Sequence, residues 1–581
     1  MMPRMIKTTV TGVLIELLRK YGVRNIFGLP SGQLGIFMDG VSRDPFFRYI
    51  TTRHEECAGH MAHGATIAGD EMALSFATVG PGATNLLPGV AAAWADNIPM
   101  IVLTANNPLK MLDPYADMLQ AVDQIALFKP VTKWNVQIRD PERAGALMER
   151  AIGLARSGRP GPVHIDLPVD VSTMACTYDL DRLPVVQPPR PRPSGSELDA
   201  LLAMLASAQR PLLVAGGGVI RSGAVDVFRA VSARLGIPAI SSVQGWGAVD
   251  PRSDLYIGSP GWHAGFAALQ AGREADLVLA IGCKFGSWTP VAKPPAVTPV
   301  AGQRIVQVDI DETMLGKNAA IALGLVGDAR ETLEALLARL DGIAMDVDRA
   351  WIDSLLAARG DYVAALDGLA NETAGAQPPG TPAFMREIRR LLPENAIVCV
   401  DGGQTSSWAM SFLEAAGPYA AKFESGMGHM GCGLPMAIGA KVAQAEDRPV
   451  FVVCGDGSAG LTGQELETAS RLGIKLVMIV MNDSCWGCYK PLEQFVFQND
   501  RLGPSMVDTD FSRVAMAYGC KGERITRVEE LEGAIARAMA SPVTALIDIP
   551  VSFAPHPLDG EFFVKTIMPG AELQPHRVEQ L

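Results

Sequence analysis

The chain reads as three α/β units in a row, each a doubly wound parallel sheet with helices on both faces. Unbroken apolar runs of strand length alternate with helical patterns along the whole sequence, as parallel strands buried on both faces require. Two composition shifts, the proline-rich Leu183-Pro-Val-Val-Gln-Pro-Pro-Arg-Pro-Arg-Pro-Ser194 and the polar Asn371-Glu-Thr-Ala-Gly-Ala-Gln-Pro-Pro-Gly-Thr381, have the character of linkers. They cut the 581 residues into three parts of similar length, each large enough for its own core.

The first unit, 1–182, opens with an amphipathic helix in which Glu16 and Arg19 interrupt the apolar residues, and it contains the strand Val163-His-Ile-Asp-Leu167. The second, 195–370, contains Pro211-Leu-Leu-Val-Ala215 and Asp276-Leu-Val-Leu-Ala-Ile281. The third, 382–554, contains Ala396-Ile-Val-Cys-Val400 and Thr544-Ala-Leu-Ile-Asp-Ile549. Residues 555–581 are left as a C-terminal tail or lid, with Phe562, Phe563, Lys565 and Arg577 able to cover a long substrate.

Composition narrows the function classes. A formal net charge of −12 argues against nucleic acid or an anionic membrane as a general partner, so small anions must be captured locally. Nine cysteines scattered through a long chain read as reduced thiols, and no apolar run reaches the roughly 18 residues that span a bilayer. The expected location is cytoplasmic.

The richest stretch lies in the third unit. Pro449-Val-Phe-Val-Val-Cys454 is a buried strand that stops at Gly455-Asp456-Gly457, where two glycines let backbone N–H groups approach an anion while a carboxylate faces a cation. Thr462-Gly-Gln-Glu465 has the pattern of a capping box and Gly473 that of a helix end. Ile474-Lys-Leu-Val-Met-Ile-Val-Met481 is a second buried strand, ending at Asn482-Asp483. A βαβ unit puts the two strand ends side by side, so Asp456 and Asp483, 27 residues apart, should meet as oxygen ligands for Mg²⁺ or Ca²⁺ on a diphosphate.

From Gly455-Asp-Gly457 to Asn482-Asp483 the chain resembles the thiamine-diphosphate motif of the family containing acetohydroxyacid synthase, benzaldehyde lyase, oxalyl-CoA decarboxylase and 2-hydroxyacyl-CoA lyase. The resemblance covers nearly the whole chain and implies pyrimidine-binding, central and diphosphate-binding domains. It also implies thiamine diphosphate and Mg²⁺ as cofactors, with Asp456, Asp483 and the backbone carbonyl of Cys485 as metal ligands. Asp483 departs from the pattern, which has Asn there.

The same resemblance assigns further roles. Glu55, in Arg53-His-Glu-Glu56, matches the carboxylate that bonds the aminopyrimidine ring and promotes loss of the thiazolium proton. Its neighbour Glu56 points elsewhere on a helix start. Gly428 and Met430 match the segment that holds the cofactor bent, Gly403, Gln404 and Thr405 the phosphate loop after a buried strand, and Gly455, Gly457 and Ser458 complete the cofactor contacts. In the family Glu55 of one chain faces the Asp456 unit of another, which implies a homodimer as the minimum working form and a homotetramer as the expected assembly.

For the substrate side the resemblance implies Ser31, Gly32 and Gln33 in the first loop, Gln120 as a polar catalytic residue, Leu127 as an apolar wall, and Trp486, Tyr489 and Glu493 over the thiazolium. Trp486, Tyr489 and Glu493 are spaced i, i+3, i+7, one helical face. Glu493 is a proton donor or acceptor if buried and an ordinary surface residue otherwise. Cys485-Trp-Gly-Cys488 has redox-pair spacing but sits in the metal turn, and His54, His60 and His63 read as packing or polarising residues because no acidic or cysteine zinc spacing accompanies them.

The central domain carries Gly216-Gly-Gly218, Gly282-Cys-Lys-Phe-Gly-Ser-Trp288 and Asp309-Ile-Asp311, a framework that binds FAD in acetohydroxyacid synthase and an ADP group in CoA-dependent relatives. Lys284-Phe-Gly-Ser-Trp288 replaces the Arg-rich run of the FAD binders, so FAD is not expected, and ADP or CoA is left open. The preferred expectation is a carbon–carbon lyase or carboligase acting on a 2-hydroxy carbonyl compound, including a 2-hydroxyacyl-CoA. The alternatives are an acetolactate-synthase-like enzyme that decarboxylates a 2-keto acid, and a non-catalytic regulatory homologue.

Overall fold

A computed structural model describes residues 4–557 except 70, 113–117, 184–187, 259, 260, 287, 290, 292–300, 343, 344, 419, 445, 446, 492, 494–496, 498–500 and 555. The expected C-terminal lid therefore lies outside the described residues, apart from His556 and Pro557.

Three parallel sheets organise the chain. In the N-terminal sheet the strands lie in the order Arg48–Thr51, Asn25–Gly28, Ala73–Ala77, Met100–Asn106, Pro162–Pro168 and Trp134–Gln137. The central sheet runs Ala239–Ser241, Pro211–Ala215, Leu277–Ile281, Arg304–Asp309 and Leu323–Val326. The C-terminal sheet runs Ala421–Phe423, Ile397–Val400, Val450–Gly455, Val477–Asn482, Ala545–Pro550 and Lys521–Arg524. The inner strands are buried on both faces, which is why they read as unbroken apolar runs. An antiparallel pair, Met5–Thr9 with Ala175–Asp179, closes the N-terminal unit on itself.

The N-terminal and C-terminal sheets share a core. Cys57, Met61 and Ala65 on the helix Glu55–Ala68 join Met436, Ile438, Val452 and Cys454 in one apolar cluster. The partner helix, Gly433–Ala443, comes so close that Gly64 packs on the Met436 carbonyl and Gly439 on that of Met61. Any side chain at either glycine would strike backbone, so the pair locks the relative position of two sheets distant in sequence.

One expected linker is partly helix. Arg349–Ala374 runs through Asn371 because Trp351, Ile352, Leu355, Tyr362, Leu366 and Ala370 keep an apolar stripe buried, and the chain leaves the helix only at Gly375. No helix among the described residues is long and apolar enough to cross a membrane.

Candidate active site

The carboxyl ends of three adjacent strands in the C-terminal sheet converge on one place. Gly455 pairs with Met481 across Val450–Gly455 and Val477–Asn482, so the residues that follow, Asp456 and Asp483, are neighbours. Asp456 is the first residue of the helix Asp456–Thr462 and is buried. Burial, and then the charge of Asp483, push its carboxyl up to about 7; Asp483 is raised as well, chiefly by burial. Two crowded carboxylates repel, and a hard divalent cation between them relieves that repulsion. Asn482 fixes the turn: its amide donates to Asp548 Oδ1 at 3.1 Å and to the Thr509 carbonyl at 2.8 Å, and Ser484 adopts the left-handed conformation, φ 53°. Cys485 donates to the Asp483 carboxylate through both thiol and backbone.

The third strand, Ile397–Val400, delivers the loop before the helix Gln404–Phe412. A Cβ on Gly402 would lie 2.8 Å from Ser458 Oγ, one on Gly455 3.1 Å from Thr405 Oγ1, one on Gly457 2.7 Å from the Trp486 ring, and one on Gly487 3.2 Å from Gln404 Cβ. The loops 402–405, 455–458 and 483–488 thus meet with bare backbone between them. The Gln404 side chain is buried beside this cradle, and among the described residues neither its amide oxygen nor its nitrogen has a hydrogen-bond partner. An orphaned amide, a backbone cradle and two carboxylates are a donor set that fits a diphosphate with Mg²⁺.

Met430 sits half-buried on a loop held by two buried carboxylates. Asp401 accepts from Gly431 N at 3.2 Å and Gly433 N at 2.7 Å, and Glu424 accepts from Met427 N at 2.8 Å and His429 N at 2.9 Å. Gly428 is exposed with φ 64°. The expected capping box at Thr462 does not form: Thr462 ends the preceding helix and its hydroxyl donates to the Gly431 carbonyl at 2.7 Å. Glu465 instead accepts from Arg53 N at 2.9 Å and His54 N at 3.1 Å, docking the N-terminal helix start on the C-terminal domain.

Glu55, the first residue of Glu55–Ala68, is buried and accepts from Asn85 Nδ2 at 3.1 Å. A Cβ on Gly82 would lie 3.3 Å from Glu55 Oε1. Among the described residues Glu55 makes no hydrogen bond or ion pair with Asp456, Asp483 or Gln404 of its own chain. Glu56 diverges from it toward His429 and His60. At the same sheet edge Gln33 Oε1 accepts from Thr78 Oγ1 at 2.8 Å and from Ser31 Oγ at 3.3 Å. Gly32 is exposed at the start of that turn. Gln120 is exposed, left-handed (φ 61°), and packed over Gly80. Leu127 is half-buried against the shared core. Ser31, Gln33, Glu55 and Gln120 therefore share one edge.

The expected helical face holds for Tyr489 and Glu493, where Glu493 N donates to the Tyr489 carbonyl at 3.1 Å, and not for Trp486, which precedes the helical residues. Residues 486–489 form a turn closed by a hydrogen bond from Tyr489 N to the Trp486 carbonyl at 2.8 Å, just after the left-handed Ser484. Trp486 lies over Gly457, Tyr489 is 56% exposed, and Glu493 is 8% exposed with Oε1 3.2 Å from Lys490 Nζ. The Cys485 thiol is pushed up by burial and by Asp483, and Cys488 packs against Gly403, an environment unlike that of a redox dithiol. His60 and His63 are buried and held well below the usual imidazole range by desolvation.

Several positioning residues carried no sequence signal. Asp166, on the strand Pro162–Pro168, accepts from Thr104, Asn106, Gln124 and Gln137, and Gln124 in turn accepts from Gly80 N at 3.3 Å. Asp401 and Glu424 likewise bind backbone groups that only the fold brings near, and Glu465, which the sequence marked only as a capping-box residue, binds Arg53 N and His54 N.

In the central unit, Gly217, Gly218, Gly282, Lys284 and Asp309 line a cavity of about 970 Å³ that also takes in Arg156, Arg159, Arg190 and Arg221. Its far wall includes Ser425 to Gly428, so it reaches the Met430 loop.

Comparison with known proteins gives three family-model matches: the thiamine pyrophosphate enzyme N-terminal TPP binding domain over residues 8–127, the central domain over 198–336, and the C-terminal TPP binding domain over 401–549. A probable acetolactate synthase large subunit from Methanocaldococcus jannaschii is 32% identical over 97% of this chain and 95% of its own length. The acetolactate synthase large subunit of Lactococcus lactis is 30% identical over 95% of this chain and 94% of its own. A probable 2-ketoarginine decarboxylase from Pseudomonas aeruginosa is 31% identical over 94% of each.

Proposed function

This chain belongs to the thiamine pyrophosphate enzyme family, and from that premise we propose that it is a synthase that decarboxylates a 2-keto acid and joins the remaining fragment to a second carbonyl compound. The observation that carries the reading is the meeting of the 402–405, 455–458 and 483–488 loops around the unpartnered Gln404 amide, with Asp456 and Asp483 beside it. Relatives named for acetolactate synthesis and for 2-ketoarginine decarboxylation, matched over nearly their whole length, support the choice of a 2-keto acid.

Bound thiamine diphosphate supplies a nucleophilic carbon and an electron sink for bond cleavage next to a carbonyl. Asp456, Asp483 and the Cys485 carbonyl would hold Mg²⁺, and Gly403, Gln404, Thr405, Gly455, Gly457 and Ser458 would hold the diphosphate. Met430, fixed by Asp401, and Gly428 would set the cofactor's bend. Glu55 would hold and return a proton at the aminopyrimidine, and a second copy of the chain would supply this residue, since among the described residues Glu55 makes no hydrogen bond or ion pair with Asp456, Asp483 or Gln404 of its own chain. A homodimer is then the smallest complete unit and a homotetramer the expected assembly. Ser31, Gln33 and Gln120 would orient the substrate, and Trp486 would keep water from the site. Nine free cysteines support a cytoplasmic location.

A 2-hydroxyacyl-CoA lyase is the second reading, favoured by the four arginines and Lys284 around the central cavity, which suit an ADP group such as that of CoA. Product analysis separates the two. With thiamine diphosphate and Mg²⁺ present, the synthase reading expects consumption of pyruvate or another 2-keto acid with release of carbon dioxide and a 2-hydroxy ketone product. Turnover of 2-hydroxyacyl-CoA alone would replace it with the lyase, and unchanged turnover in Glu55→Gln would remove both.

A further inference from the structure

We propose that Glu56, His60 and His429 form a second metal site, for a divalent ion of the zinc type, that ties the helix Glu55–Ala68 to the loop carrying Met430. The three side chains offer ligand atoms that all lie within 4.8 Å of one another. Glu56 Oε1 is 3.6 Å from His429 Nε2 and 3.9 Å from His60 Nε2, and the two imidazole rings have centroids 5.0 Å apart. An ion bound tetrahedrally at about 2.0–2.1 Å holds its ligand atoms roughly 3.3 Å apart. The two measured pairs, at 3.6 and 3.9 Å, are already near that separation.

The second observation is independent of that spacing. His60 is 0% exposed, yet among the described residues neither of its ring nitrogens has a hydrogen-bond partner. Buried polar atoms are almost always satisfied, and an imidazole facing a carboxylate and a second imidazole is satisfied most directly by a cation between them. Glu56 and His60 are one turn apart on the same helix face, so the helix presents two ligands in fixed relation and the loop supplies the third. Glu56 and His429 keep 19% and 26% side-chain exposure, which leaves a route from solvent and room for a water as fourth ligand.

Two imidazoles and one carboxylate make a softer donor set than the oxygen ligands at Asp456 and Asp483, so the two sites would select different ions. The consequence for the cofactor site follows from chain position. Glu56 follows Glu55 and His429 lies between Gly428 and Met430, so an ion here would fix those two segments against each other.

The test uses the full-length protein saturated with thiamine diphosphate and Mg²⁺, titrated with Zn²⁺ and, for a spectroscopic readout, with Co²⁺. Wild-type protein should bind one Zn²⁺ per chain in addition to Mg²⁺ and give visible d–d absorption with Co²⁺. His429→Asn and Glu56→Gln should each weaken Zn²⁺ binding about tenfold or more and lose the Co²⁺ band, with circular dichroism unchanged. Asp456→Asn, compared with the wild type in the absence of thiamine diphosphate and Mg²⁺, should retain both signals. No stoichiometric Zn²⁺ in the wild type, equal binding in His429→Asn, or loss of zinc in Asp456→Asn instead would overturn the proposal.

Discussion

The carboxylate of Asp401 accepts a 2.7 Å hydrogen bond from the backbone N–H of Gly433, three residues past Met430, and a second from Gly431. The end of a buried strand thus sets the height of the loop that faces the cofactor cradle. Asparagine would keep one acceptor oxygen and turn an N–H₂ toward the other donor. We expect Asp401→Asn to raise the dissociation constant for thiamine diphosphate about tenfold, since a hydrogen bond to a charged group is worth about 1.5–3 kcal/mol. Calorimetric titration of the cofactor at saturating Mg²⁺ checks this, and unchanged affinity would show that the loop holds its place without Asp401.

Gly403 has φ −72°, a value open to any residue, so its lack of a side chain answers to space. A Cβ there would collide with Cys488 Sγ and stand 3.2 Å from Cys488 Cβ. Gly403→Ala should weaken cofactor binding about tenfold, the scale of an overpacked contact of about 1–3 kcal/mol. Cys488→Ala alone should bind normally, and combining it with Gly403→Ala should recover part of the loss. If the double variant is no better than Gly403→Ala, the collision is not the cause.

Asp166 gives the pH dependence a definite sign. Burial raises its carboxyl from 3.8 to about 6 against four side-chain donors. The folded protein then binds this proton more tightly than the unfolded chain, so the group's contribution to stability is full below pH 3.8 and is lost as pH rises through about 6. Asp166→Asn removes the titration. The stability of wild type relative to the variant should fall across that window by about 3 kcal/mol, read as the difference in denaturation midpoints at a series of pH values. A constant difference would mean that Asp166 titrates normally.

If Asp456 and Asp483 hold Mg²⁺ as proposed, they should not be equivalent. Asp456 is 5% exposed and fixed at a helix start, whereas Asp483 is half-buried on a turn. Asp456→Asn should abolish Mg²⁺-dependent cofactor binding, because its position at a helix start is fixed, and Asp483→Asn should weaken it about tenfold, because the turn can bring its remaining amide oxygen to the ion. Equal losses would place the ion symmetrically.

The order in which these residues became legible has a physical basis. Asp456 and Asp483 could be read from the sequence because two apolar runs end at them, and parallel strands in register put their ends together. Trp486 to Glu493 has helical spacing, and Tyr489 and Glu493 keep it, but the left-handed Ser484 turns the chain so that Trp486 falls before the helical residues, which spacing does not register. Asn371 continued a helix because six buried side chains upstream outweigh its local polarity. Asp401, Glu424 and Asp166 were silent: each binds groups brought to it by tertiary packing, and a carboxylate's partners leave no periodic trace.

The same logic separates Glu55 from Asp456, and it leads to a test of assembly. Within one chain Glu55 bonds Asn85 while its neighbours Arg53, His54 and Glu56 dock on Glu465 and His429. If a complete site takes Glu55 from one chain and Asp456 from another, Glu55→Gln and Asp456→Asn proteins should each be inactive alone yet active when unfolded and refolded together. In a mixed dimer one site would carry both lesions and the other neither. Random pairing of equal amounts makes half the dimers mixed, so about a quarter of wild-type activity should return. Reassociation verified by differently tagged chains, with no activity recovered, would mean that Glu55 and Asp456 serve the same chain.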